Sequence, residues 1–195
     1  AWEGAPPVTL RDATGLPAAP FRTDTRPLAP LEIAPQPAPW EVDAGAWSLR
    51  ASGEGWIESL LVVGEQFVAF DRVAAPGGHF TNFWGPAKLV HASRLGPGLL
   101  HFEGDSCTLL LEFHEDGVAL GLRNKWKDPI TFRLELHDGV TVDREGNALR
   151  LARGAAVVLV EGFSPAEEGR ALVRELPGGE SVSARLRVAG KEASP

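Results

Sequence analysis

The feature that most constrains this sequence is a hydrophobic period of two, which recurs from Trp47 onward. Apolar and polar side chains alternate residue by residue from Ile130 to His137, and the segments that begin at Cys107, Val118 and Val182 follow the same pattern. Successive side chains of a β-strand point to opposite faces, so each segment predicts a strand with one packed face and one solvent face. The pattern is typical of antiparallel strands in a sandwich.

The connecting segments support this interpretation. The pairs Asp116-Gly117, Asp138-Gly139 and Gly146-Asn147 supply the positive-φ residues that tight hairpin turns require. One stretch resembles a helix, Ser164 to Val173, and it opens with a Ser-Pro capping signal. Repeated short strands with turn signals predict an all-β fold, an antiparallel two-sheet β-sandwich.

The first forty residues have a different character because they contain nine prolines. Proline lacks a backbone donor, so this segment is excluded from long helices and central strands. We expect residues 1–40 to form an extended proline-rich arm packed on the sandwich. The pieces Val8 to Asp12 and Leu28 to Ile33 are able to pair at a sheet edge. A length of 195 residues fits one domain, residues 1–195.

Charge and cysteine content narrow the function classes. The net charge is −7 and lysine and arginine do not cluster, which argues against a nucleic-acid partner. No apolar run approaches the roughly 20 residues of a spanning helix, so no membrane segment is predicted. The first residues carry no signal-peptide pattern, which leaves export open. The one cysteine, Cys107, lies in an apolar strand pattern; it predicts a buried thiol and favours a cytoplasmic location.

Candidate catalytic chemistry is sparse. The carboxylates are scattered, and no motif for a metal, a phosphate or a nucleophilic serine occurs. His101 with Glu103 and His114 with Glu112 stand two residues apart, so each pair shares a strand face as a metal site would need. Exposed polar strand positions are the preferred interpretation. We therefore predict no catalytic residue, no metal and no cofactor, and keep a small hydrolase or metal-dependent enzyme that uses these four residues as the weakest alternative.

Aromatic residues give the candidate binding site. The chain has six tryptophans and no tyrosine, and a glycine-bracketed loop from Gly77 to Pro86 contains three aromatic rings. Flat rings beside polar groups suit a sugar, so the candidate carbohydrate-binding residues are His79, Phe80, Asn82, Phe83 and Trp84. Packing of these rings under a sheet edge is the preferred alternative. Trp126 is predicted at a hairpin tip that a partner could cover.

Several short motifs resemble a known family. Phe21, Asp24, Thr25, Arg26 and Leu28 follow the order of a pattern in the N-terminal β-sandwich domain of bacterial glycogen-debranching-type proteins, the amylo-α-1,6-glucosidase group. The passages Leu122-Arg123-Asn124 with the strand after Asp128, and Leu176 to Val182, resemble later parts of that domain. Two features depart from it: Pro27 follows Arg26 where an aromatic is usual, and residues 138–144 contain no aromatic.

The resemblance implies an accessory role, because the hydrolytic carboxylates of that family belong to a separate helical toroid. Asp24 and Arg26 would form an ion pair that holds the arm, or part of a docking surface. The sequence therefore predicts a noncatalytic, carbohydrate-associated sandwich that supports an α-glucan-acting glycoside hydrolase domain, with an α-glucan or that domain as its partner. The alternative is a structural or protein-interaction sandwich that binds no sugar.

Overall fold

The structure is a computed structural model, and it describes residues 9–11, 39–71, 75–82 and 85–189. These residues form strands joined by turns, without an α-helix. No helix long and apolar enough to cross a membrane occurs among them. The prediction of an all-β fold is confirmed.

One sheet has ten strands and follows the order β1-β2-β3-β4-β8-β14-β19-β18, with β5 beside β4 and β9 beside β8. Its pairings are antiparallel. Its strands are β1 Thr9–Arg11, β2 Trp40–Asp43, β3 Trp47–Ala51, β4 Ile57–Val62, β5 Glu65–Gln66, β8 Gly78–Asn82, β9 Gly85–Ala87, β14 Ile130–Glu135, β18 Ser164–Pro165 and β19 Ala171–Leu176.

The second sheet has eight strands in the order β10-β11-β12-β13-β20-β17-β16-β15, and a small two-stranded sheet joins β6 to β7. The pairings of the eight-stranded sheet are also antiparallel. The remaining strands are β6 Phe70–Asp71, β7 Ala75–Pro76, β10 His91–Gly96, β11 Leu99–Glu103, β12 Cys107–His114, β13 Gly117–Asn124, β15 Thr141–Glu145, β16 Ala148–Arg153, β17 Ala156–Glu161 and β20 Ser181–Val188.

The inner faces of the two large sheets form one apolar core. The alternation predicted for Ile130–Glu135 is observed, since Ile130, Phe132 and Leu134 are buried and the residues between them are half-exposed. The strand at Cys107 behaves in the same way, with Cys107 and Leu109 on the buried side. Burial of apolar area drives the two faces together, which makes the sandwich the stable arrangement of these strands.

Trp47 connects the two sheets directly. Its ring stacks on Phe113 of the other sheet with centroids 6.1 Å apart, and its Nε1–H donates to the Glu115 carbonyl at 2.9 Å. The indole is therefore buried with its one polar group satisfied.

Two local predictions are wrong. The segment from Ser164 to Val173 forms no helix, because Ser164–Pro165 pairs as β18 with β19, which starts at Ala171. Asp138-Gly139 is not a hairpin turn, since β14 and β15 belong to different sheets and this turn carries the chain between them. The other two turns do close hairpins, β12–β13 and β15–β16. Sequence alone does not distinguish a hairpin turn from a crossover turn, because both need a positive-φ glycine.

The proline-rich arm lies mostly outside the described residues. Within it, Thr9–Arg11 pairs with β2 at the end of the ten-stranded sheet, as predicted for the piece from Val8 to Asp12. The piece from Leu28 to Ile33 and the motif residues Phe21, Asp24, Thr25 and Arg26 lie outside the described residues.

Candidate functional site

Three of the candidate carbohydrate-binding residues, His79, Phe80 and Asn82, lie on β8 in the interior of the ten-stranded sheet. His79 is 3% exposed and Phe80 is 1% exposed. The Phe80 ring meets Phe132 edge to face, with centroids 5.1 Å apart, which places it in the core. Neither side chain is accessible to a ligand, so His79 and Phe80 pack in the interior, which is the alternative interpretation given for this segment. Asn82 is half-buried at the end of β8, and Phe83 and Trp84 lie outside the described residues. Sugar binding at this turn stays a prediction.

His79 is a buried titratable group. Its Nδ1 lies 3.1 Å from the Gly77 carbonyl, which only accepts, so Nδ1 carries the proton and donates. Arg133 is its cross-strand neighbour on β14, and Glu135 lies two residues further on. Burial lowers the pKa of His79 below its ordinary value, and the bond to Gly77 and the charge of Glu135 oppose that shift. The imidazole is neutral and structural at neutral pH.

The two His–Glu pairs lie on neighbouring strands of the eight-stranded sheet but out of register. His101 faces Leu110, whereas Glu112 faces Leu99. Among the described residues, no three His, Cys, Asp or Glu side chains come close enough to hold a metal ion. Glu103 is instead paired with Lys125 at 2.9 Å, and the hydrogen bond from Lys125 lowers the pKa of Glu103. The four residues therefore form no joint site.

Cys107 is buried, as the sequence predicts. The Ser106 hydroxyl donates to its sulfur at 3.7 Å, and burial raises the pKa of the thiol above its ordinary value. A raised pKa and a closed environment make the thiol a poor nucleophile. It belongs to the core.

A shallow depression of about 400 Å³ lies on the outer face of β2, β3 and β4. Arg50 in the depression is paired, since it contacts Glu58 at 3.0 Å and Glu41 at 3.6 Å. Leu61 at its rim is 38% exposed. The depression contains no nucleophile poised beside a base, so its chemistry is that of a surface.

The Trp126 tip, residues 124–129, is an exposed turn that side-chain hydrogen bonds of Asn124 hold in place. Fully buried Asn124 donates to the carbonyls of Asp128, Leu176 and Pro177 at 2.8, 3.1 and 3.1 Å. Its Oδ1 accepts from the Trp126 backbone N–H at 2.9 Å. Trp126 itself is 36% exposed. The prediction of a hairpin tip is wrong, because this turn carries the chain from β13 in the eight-stranded sheet to β14 in the ten-stranded sheet.

The turn between β19 and β20 completes this tip. Gly179 N–H donates to the Trp126 carbonyl at 2.7 Å. A Cβ added to Gly178 would lie 1.9 Å from the Lys127 carbonyl oxygen, so only glycine allows this approach. Asn124 was not among the sequence candidates. It continues the inward alternation of Val118, Leu120 and Leu122, and a polar residue at such a position is the signal that would have found it.

Comparison with known proteins gives a fold but no family. No protein-family model matches the chain, and no curated protein matches its sequence. Among solved structures, YidC from Thermotoga maritima matches over 94% of this chain and 51% of its own, with a TM-score of 0.57 and 8% identity. Heparan sulfate lyase HepC from Pedobacter heparinus matches over 80% of this chain and 34% of its own, with a TM-score of 0.50 and 12% identity.

A putative aldose 1-epimerase from Escherichia coli K12 matches more weakly, over 78% of this chain and 99% of its own, with a TM-score of 0.49 and 10% identity. The chain therefore spans about half the length of YidC and a third of HepC. Identities this low relate the folds alone. The sandwich fold also occurs in the heparan sulfate lyase, and the glycogen-debranching resemblance stays a prediction.

Proposed function

We propose that this chain is a noncatalytic β-sandwich domain that docks and supports a larger functional unit. The observation that carries the proposal is the distribution of its polar side chains. In the described residues, the candidate acids and bases do not converge on a cleft: Glu103 pairs with Lys125, Glu112 lies 3.8 Å from His114, and His79 and Cys107 are buried singly. General acid–base catalysis needs a positioned acid or base within hydrogen-bond reach of the substrate, usually in a cleft.

The fold comparison supports the same proposal. Nearly all of this chain overlaps with YidC, yet the overlap accounts for only half of YidC. In YidC, a sandwich of this size is therefore part of a longer polypeptide. We infer a contact between this sandwich and other parts of its own polypeptide. The Trp126 tip suits such a contact, because a half-exposed indole on a fixed loop offers apolar area at low entropic cost.

The test places a photo-crosslinking amino acid at Trp126 in the natural full-length polypeptide, with the same group at Asn147 on an exposed turn as the matched control. We expect a crosslink from position 126 to one defined peptide of a neighbouring domain, identified by mass spectrometry, and none from position 147. Equal crosslinking from both positions, or turnover of maltooligosaccharides by this chain alone, contradicts the proposal.

A second candidate function is contact with an α-glucan, as the family resemblance implies. It is supported by the fold shared with the heparan sulfate lyase and by the position of Asn82, half-buried at the strand end that leads into Phe83 and Trp84. An indole that stacks on a sugar changes its emission. We expect a saturable shift in tryptophan fluorescence during titration with maltooligosaccharides, lost in Trp84→Ala. A flat response in the parent protein would remove this candidate and leave docking alone.

A further inference from the structure

The end strands of the two large sheets differ in how they protect their open edges. An exposed edge presents unpaired backbone groups that another chain could pair with, and natural edges are usually short, charged or interrupted by proline. In the ten-stranded sheet, the end strand β18 has two residues and contains Pro165. In the eight-stranded sheet, β15 has four exposed residues of five and carries Asp143, Arg144 and Glu145.

Strand β10, at the other end of the eight-stranded sheet, is longer and less charged than β15. It has six residues, His91–Gly96, and it is the terminal strand within the described part of the chain. Its register with β11 is regular from His91 to Arg94, and a bulge follows only between Arg94 and Gly96. Four consecutive residues therefore present a regular open edge.

Apolar residues stand at both ends of that edge. Val90, just before β10, is 63% exposed, and Leu95 near its end is 51% exposed. Exposed aliphatic side chains are common singly, but two that bracket a regular edge strand supply the side-chain contacts that an added strand needs. The backbone would give the affinity, and Val90 and Leu95 would select apolar residues opposite them.

The charge of the segment around β10 indicates which side chains a partner segment should carry. The segment 88–98 contains Lys88, His91 and Arg94 and no carboxylate. Lys88 is paired with Glu54 at 2.9 Å. Arg94 donates from Nε to the Gly96 carbonyl at 3.0 Å, and no carboxylate of the described residues lies within ion-pair distance of it. Its terminal guanidinium nitrogens are therefore suited to an acidic side chain.

We propose that β10 is a docking edge that receives an extended segment of a partner polypeptide, with apolar residues opposite Val90 and Leu95 and an acidic residue opposite Arg94. The segment adds a ninth strand to the eight-stranded sheet. This inference rests on the proposed docking function and names the chemistry of the partner.

The probe is a labelled, capped heptapeptide with valines placed opposite Val90 and Leu95, a glutamate opposite Arg94 and threonine at the other positions. It is titrated against the intact chain and followed by fluorescence anisotropy. Its control is the same peptide with an N-methyl group on every backbone amide, which removes the backbone donors along both of its edges. We expect saturable binding of the parent peptide and none of the methylated one. Amide resonances should shift at residues 90–96 and not along β15.

Two charge reversals test the role of Arg94. Arg94→Glu should weaken binding at least about tenfold, since a like charge then faces the glutamate. Arg144→Glu on the opposite edge should change it less than about twofold, because that strand is outside the site. Circular dichroism melting of both variants shows whether they are folded, and if Arg94→Glu is not folded, Arg94→Gln replaces it.

The proposal is overturned if the parent peptide does not bind at millimolar concentration, if the methylated peptide binds equally well, or if the shifts lie elsewhere. If the peptide fails while the crosslink from position 126 persists, only the β10 edge is wrong. If both fail, the docking function itself is wrong.

Discussion

Gly178 shows how one residue fixes the geometry of an exposed surface. The carbonyl of Lys127 occupies the space where a side chain would begin, so the β19–β20 turn reaches the Trp126 tip only with glycine at this position. This is a steric requirement and not a matter of backbone freedom, because the close atom belongs to another segment of the backbone.

We predict that Gly178→Ala lowers the free energy of unfolding by about 1–3 kcal/mol, since the new methyl group forces two backbone segments apart. Gly96→Ala is the matched control, because the nearest atom to a Cβ there is 4.0 Å away. Urea unfolding of both variants measures the difference. Equal effects would show that the close approach is not a constraint.

His79 makes the stability of the domain depend on pH. Burial lowers the pKa of His79 in the folded state, so below the pKa of the unfolded chain, about 6.5, the unfolded state binds the proton more readily. The stability contributed by the neutral imidazole is therefore present above about pH 6.5 and is lost as the pH falls below it.

We predict that the free energy of unfolding falls between about pH 7 and pH 5, with a slope of at most about 1.4 kcal/mol per pH unit from this residue. In His79→Gln the slope should be smaller, because glutamine can still donate to the Gly77 carbonyl but does not titrate in this range. Urea unfolding at a series of pH values measures both slopes. Parallel curves for the two proteins would exclude His79 as the source.

At the level of elements, Asn124 joins the end of β13 to two turns. Hydrogen bonds from its side-chain amide take the place of the backbone pairing that ends where β13 leaves the sheet. They hold the Trp126 tip against residues 176–177. Polar groups this deeply buried are stable only when they are hydrogen-bonded.

We predict that Asn124→Ala destabilises the protein by about 3 kcal/mol, because buried carbonyls lose their donors and each unsatisfied group costs about 1–3 kcal/mol. Trp126 should also become more solvent-exposed, which red-shifts tryptophan emission. Asn147→Ala, on an exposed turn, is the control and should change stability by less than about 0.5 kcal/mol. A loss of less than about 0.5 kcal/mol in Asn124→Ala would show that the side-chain amide of Asn124 does not stabilise the protein.

For the whole molecule, the two sheets should unfold as one cooperative unit, because they share one core and Trp47 connects them. We predict that Trp47→Phe lowers the free energy of unfolding by about 1–3 kcal/mol, since the Glu115 carbonyl loses its donor. Far-ultraviolet dichroism and tryptophan fluorescence should still give one coincident transition. Trp126→Phe serves as the control and should leave stability nearly unchanged; separate transitions would show that the sheets unfold independently.

The sequence by itself determined the regularly alternating strands and which of their faces is buried. Alternation at Ile130–Glu135 and at Cys107–His114 is a local property, because the side-chain period of a strand is fixed by its backbone, and it predicted both the fold class and the burial of Cys107. It also indicated the exposed position of Trp126.

Only the tertiary structure decided which strands are neighbours. The turn at Asp138-Gly139 crosses between sheets, and the stretch after Ser164 pairs with β19 instead of forming a helix, since long-range pairing outweighs local propensity. The burial of His79 and Phe80 depends on the same pairing, because β8 lies inside the sheet. The open edge of β10 is likewise a consequence of strand order, a property of the whole chain that no local pattern contains.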